Sequence, residues 1–188
     1  MKKKIAISIV AVALVLCCAI GGTLAWLTAT SGSVTNTFTV GDIDIDLTET
    51  TTEYKVIPGS DIAKDPKVTV KAVSEACWLF VEITEKNWSD GLTYSVVTGE
   101  NGWTALAGET GVFYRQVPAV TTGDVSFQVL TGKGEGAYAD GFVHAADSLT
   151  RDDLQAMNTA KPELTFTAYA VQSENITDAA TAWTHRNG

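Results

Sequence analysis

The chain has 188 residues, of which 45% are hydrophobic and 19% charged, with 13 basic against 22 acidic side chains and a formal charge of −9. That composition excludes a disordered chain, a collagen and a protein of many membrane spans, and the length suits one domain able to bury a core. The acidic balance argues against nucleic acid as a partner, because phosphate binding needs a basic footprint.

The first 25 residues read as an address. Lys2, Lys3 and Lys4 form a basic start, and Ile5 to Ile20 is an apolar and small-residue run broken by Ser8. Gly21, Gly22, Thr23, Leu24 and Ala25 follow. This is the order of a secretory signal peptide, with Thr23 and Ala25 as the small residues before the cut and Trp26 as the first residue after it. Residues 1–25 are therefore expected to be removed, leaving 26–188 as one secreted domain. The competing reading is an uncleaved anchor, because Ile5 to Leu27 is just long enough to span a bilayer. Leu14-Val15-Leu16-Cys17 sets a bulky leucine where lipid attachment wants a small residue. Cys17 and Cys18 leave with the signal, so Cys77 stands alone and no internal disulfide can form. Within Cys77-Trp78-Leu79-Phe80-Val81 it reads as a buried small hydrophobe.

The rest of the chain reads as strands. Val34 to Val40 alternates, with Val34, Phe38 and Val40 on one face and threonines on the other. Asp42 to Leu47 alternates in the opposite phase, so a bulge or bend is expected at Gly41. Lys67 to Lys71 follows the turn residues Pro58-Gly59-Ser60 and Asp65-Pro66. Cys77 to Glu85 reads as a central strand. Cys77, Leu79, Val81 and Ile83 share one face, and Trp78 and Phe80 cover the first half of the other. Leu92 to Val97, Gly111 to Val117, Val125 to Thr131 and Leu164 to Gln172 complete the strands. Gly132 to Gly141 reads as a loop. Leu149 to Asn158 is the best helix, capped by Thr150 with Asp152 and Asp153 in its first turn. Asp178 to Thr184 suggests one more helical turn. The expected fold is all-β, an antiparallel β-sandwich of jelly-roll type with one or two short helices.

Motifs for chemistry are mostly absent. His144 and His185 are the two histidines, and no His-Glu-x-x-His pair, Gly-x-Ser-x-Gly elbow or phosphate loop occurs. No catalytic, metal or cofactor residue is assigned. Asp42, Asp44 and Asp46 have the look of a calcium loop with Glu53 in twelfth place, but Leu47 stands where the sharp turn needs glycine. On a strand the three carboxylates line one solvated face instead. Asn87-Trp88-Ser89 and Asn175-Ile176-Thr177 match the glycosylation sequon, which matters only in a eukaryotic secretory path. The five tryptophans read chiefly as core, with Trp88 and Trp103 expected to be the most exposed, since both adjoin turn residues.

The lysine start, the apolar run and Gly21-Gly22-Thr23-Leu24-Ala25-Trp26-Leu27-Thr28 resemble the signal segment of TasA and camelysin (CalY)-like proteins of Gram-positive bacteria. Asn36 to Ile45 is similar to the segment after their cut. Pro58-Gly59-Ser60 with Val68-Thr69-Val70, Ala76 to Val81, and Ala168 to Gln172 are similar to later blocks. The middle, Asn101 to Ser148, departs from the pattern. The resemblance implies processing by a SipW-type signal peptidase and a secreted jelly-roll protein that forms biofilm-matrix fibres. In such fibres the N-terminal strand of one subunit, here 26–40 with Val34, Asn36, Phe38 and Val40, completes the sheet of the next. The partners would be copies of the same chain, head to tail, and other matrix fibre subunits. Camelysin-like relatives are labelled metallopeptidases, but no ligand motif here supports that activity. The alternatives that stay open are a camelysin-like secreted metallopeptidase and a monomeric carbohydrate- or protein-binding module of the cell surface.

Overall fold

The computed structural model describes residues 42–50 and 54–186. Expectations for the signal segment, for the strand Val34 to Val40 and for a bulge at Gly41 lie outside the described residues.

The longest strand sets the architecture. Strand β4 (Cys77–Lys86) sits between β10 (Glu163–Gln172) and β7 (Val112–Val117), and the short β6 (Thr104–Ala105) extends the sheet beyond β7. All these pairings are antiparallel, with Cys77 opposite Gln172 and Val117. A second sheet has the order β1 (Ile45–Thr48), β3 (Lys67–Val70), β8 (Val125–Gln128). A third, smaller one joins β2 (Asp61–Ala63), β9 (Phe142–Ala145) and β5 (Leu92–Thr93). Among the described residues the fold is an all-β antiparallel sandwich with two short helices, as the alternation in the sequence implies.

The alternation of β4 explains why its sheet is covered twice. Cys77, Leu79, Val81 and Ile83 face the main core, where Val68, Val70, Val117 and Val129 meet them. Leu164, Phe166, Ala168 and Ala170 of β10 join the same layer, and so do Ile45 and Leu47 of β1. Each large side chain removed from water here contributes about 1.5–3 kcal/mol. Trp78 and Phe80 point to the other face, onto helix α2 (Ala179–Thr184). The Trp78 indole N–H donates to the Ile176 carbonyl at 3.0 Å. Beyond Phe80 that face opens, with Glu82 half-buried and Thr84 exposed.

Both helices form where local chemistry favours them. Thr150 caps helix α1 (Arg151–Ala160): its Oγ1 accepts from the Asp153 N–H, and the Asp153 carboxylate accepts from the Thr150 N–H, a reciprocal capping box. Met157 of α1 is buried with Leu92, Val143 and Ala145 of the third sheet. Asp178 caps α2 by accepting from the Thr181 N–H at 2.8 Å. Gly111 marks a point where backbones nearly touch. Its φ is +74°, and a Cβ would press into the Ile83 carbonyl oxygen.

Three expectations are corrected. The strand Leu92 to Val97 pairs with β9 only at Leu92 and Thr93. Beyond them the chain changes partner, with bonds from Thr131 N–H to Ser95 O and from Val97 N–H to Val129 O. The same exchange ends β8 at Gln128 rather than Thr131. Trp103 is not exposed but fully buried, at 1%. The turn that closes with the Gly102 N–H on Gly99 O folds it inward, and its indole N–H donates to Gln128 O at 2.9 Å. Strands β2, β6 and β9 were not anticipated, being two to four residues long with no clean alternation.

Candidate assembly edge

Strand β10 ends its sheet. It pairs with β4 on one side, and no described strand pairs with the other side. The ladder shows which backbone groups are spent. Ser173 N–H donates to Ala76 O, in register with the β10–β4 pairing, and Ile83 N–H donates to Gly111 O across the β4–β7 pairing. In an antiparallel pair one residue sends both its N–H and C=O to the same side. The odd-numbered residues of β10 thus bond to β4. Leu164, Phe166, Ala168, Ala170 and Gln172 direct their backbone groups outward. Their side chains other than Gln172 meanwhile fill the main core. Strand β1, the first described strand, packs alongside β10 at this side of the sandwich and is itself the end strand of its sheet.

An open groove of about 910 Å³ lies at the start of β10, bounded by Ile57, Trp88, Met157, Lys161 and Leu164. Ile57 is 59% exposed there. Trp88 is half-buried, with its indole N–H on Leu92 O at 3.0 Å, so it is less exposed than its turn neighbours suggested. Lys64 closes one end. It is buried, pairs with Glu49 at 2.5 Å, and holds its ammonium 4.8 Å from the Tyr54 ring and 5.2 Å from the Phe166 ring. Tyr54 O–H donates to the same Glu49 oxygen at 2.6 Å. Partial burial and that carboxylate hold the Tyr54 hydroxyl far above the ordinary phenol range.

The other residues singled out from the sequence fall in separate places. Thr23, Ala25, Trp26, Val34, Asn36, Phe38 and Val40 lie outside the described residues. Asp42, Asp44 and Asp46 are exposed along and ahead of β1, with Lys71 3.8 Å from Asp46. Cys77 is fully buried, and that burial pushes its thiol up to about 11. His144 lies on β9, whereas His185 caps the C-terminal end of α2. Among the described residues no three His, Cys, Asp or Glu side chains converge as a metal site. No described helix is long and apolar enough to cross a membrane.

Two features had no sequence signal. Arg115 is drawn in between the sheets, 3.7 Å over the Phe127 ring, with Nη1 donating to Asn101 O at 3.0 Å. Burial lowers its guanidinium below the ordinary value. Asp61, His144 and Lys133 form a cluster through the pairing of β2 with β9, which joins positions far apart in the chain.

No curated protein and no solved structure matches the chain. Residues 1–73 match the family model described as camelysin metallo-endopeptidase. The match takes in the lysine start, the apolar run, the Asn36 to Ile45 block and the turn before β3. Over these 73 residues, less than half of its length, the chain is similar to the camelysin family.

Proposed function

We propose that the protein is a non-enzymatic structural component of an extracellular matrix or cell surface, built into fibres by strand donation. A SipW-type signal peptidase would cut between Ala25 and Trp26. The freed segment Trp26 to Val40 carries no charged residue and cannot bury Val34, Phe38 and Val40 by itself. A neighbouring subunit's sheet edge would supply backbone partners and apolar cover together. Such contacts are heterologous and do not close, so they propagate as filaments.

The observation that carries this reading is the ten-residue β10 edge, with five residues whose backbone groups point away from β4. An edge of that length is a template for pairing unless something covers it. Ala168→Pro removes one outward N–H and leaves the β4 ladder untouched. Electron microscopy of the processed protein is expected to show filaments, and the Ala168→Pro variant is expected to stay monomeric with an unchanged circular dichroism spectrum. Filaments of ordinary abundance in that variant would count against β10 as the acceptor.

The second reading, a metallopeptidase, draws its support from the description of the matched family. It requires proteolysis that a chelator stops and that His144→Ala or His185→Ala abolishes.

A further inference from the structure

The Asp61, His144 and Lys133 cluster stands apart from the assembly edge and has the makings of a covalent cross-link. Asp61 lies on β2 directly opposite His144 on β9. Its carboxyl group is 14% exposed. One oxygen, Oδ1, is 2.8 Å from His144 Nδ1. The other, Oδ2, is in direct contact with Lys133 Nζ. The lysine comes from the loop between β8 and β9, and its stem is half-exposed. Its amine ends 5.0 Å from the Phe142 ring and 5.6 Å from the Tyr138 ring. The loop is pinned where this matters: Lys133 N–H donates to Tyr138 O at 2.9 Å, and the Gln128 side chain donates to Ala139 O at 3.2 Å. Amine and carboxyl are therefore held together before any reaction, which removes the entropic part of the barrier.

We propose that Lys133 and Asp61 condense to an intramolecular isopeptide bond, with His144 as the hydrogen-bond donor to the carboxyl oxygen that takes up charge. The ammonium first passes one proton to Oδ2, the carboxylate oxygen it touches. The Nζ lone pair so freed attacks Asp61 Cγ, a C–N bond forms, and the negative charge gathers on Oδ1, where the imidazole N–H holds it. The nitrogen gives its second proton to the Oδ2 hydroxyl, the Cγ–Oδ2 bond breaks as water leaves, and the Cγ=Oδ1 double bond re-forms. In total, two hydrogens of the ammonium and one oxygen of the carboxylate depart as water. No oxidant, reductant or cofactor takes part. The product is a neutral amide where an ion pair stood. The link would fasten the third sheet to the 132–141 loop and cross-link positions distant in sequence, as a disulfide would. Among the described residues Cys77 is a free, buried thiol.

Trypsin tests the proposal on the full chain, digested after denaturation. Trypsin does not cut after a lysine whose amine has become an amide. The expected product is the peptide Val56–Lys64 joined to Gln116–Arg151, lighter than their sum by one water. Fragmentation should place the joint between Asp61 and Lys133. Lys133→Arg and Asp61→Ala should each release the two peptides unlinked, and His144→Phe should leave a larger unlinked fraction at a given time after synthesis. Recovery of Val56–Lys64 and Gln116–Lys133 as separate peptides of unshifted mass would overturn the proposal and leave an ordinary ion pair. A one-water loss that survives in Lys133→Arg would also overturn it, since that loss would lie within the Asp61 peptide itself.

Discussion

Trp103 shows how much a single side chain adds when neighbours enclose it. It touches the main core, stands edge-on to Phe127 with ring centroids 6.5 Å apart, and satisfies its N–H on Gln128 O. Trp103→Ala is expected to cost about 3–5 kcal/mol, read as a lower urea midpoint. A shift under about 1 kcal/mol would mean that the site collapses around the deletion. Reading the sequence alone placed this residue at the surface, because Gly102 beside it signals a turn. The turn is real, but its sense is a tertiary property, since it depends on Gln128 and Phe127 across the sandwich. Cys77, Trp78 and Phe80 were legible because they lie in one unbroken apolar strand with both faces accounted for. Arg115 was not, because nothing local says that a guanidinium will stack on a ring one sheet away.

At the scale of elements, the caps carry a pH dependence. The side-chain hydroxyl of Thr150 and its backbone N–H hold the Asp153 carboxyl below the usual range. The Thr181 backbone N–H and then its hydroxyl do the same for Asp178. A carboxylate lowered in the folded state contributes stability that is complete above its unfolded pKa and is lost as pH falls through the folded value. Both caps therefore weaken below about pH 4, near the unfolded aspartate pKa. The urea midpoint is expected to fall between about pH 7 and about pH 3, and to fall less in a variant carrying Asp153→Asn and Asp178→Asn. An equal fall in both proteins would remove the caps from the account. Strands β3, β4, β7 and β10 and both helices were legible, since alternation, turn residues and cap residues all agree there. The short β2, β6 and β9 were not, because two to four residues carry no period. Their pairing comes from partners distant in the chain.

At the scale of the whole molecule, the described sandwich closes on its faces, and along one side its end strand β10 has no described strand paired to its outer edge. Two end strands, β1 and β10, run together there, and β1 is where the described chain begins. Alternating apolar patterns specified an all-β antiparallel fold but not the strand order, because pattern assigns residues to faces and leaves neighbours undetermined. Of the candidate site, the sequence offered an expectation for the donor, which lies outside the described residues, and none for the acceptor. The sequence named a donor segment from its family resemblance and its alternation, while the acceptor edge emerged only once β10 was placed at the end of its sheet. The central claim is that this domain links subunits mechanically through its leading strand. Electron microscopy of protein beginning at Trp26, beside the same protein lacking Trp26 to Val40, tests it most directly. The account predicts filaments from the first and single particles from the second. Filaments from the shortened protein, or single particles from both at every concentration, would contradict it.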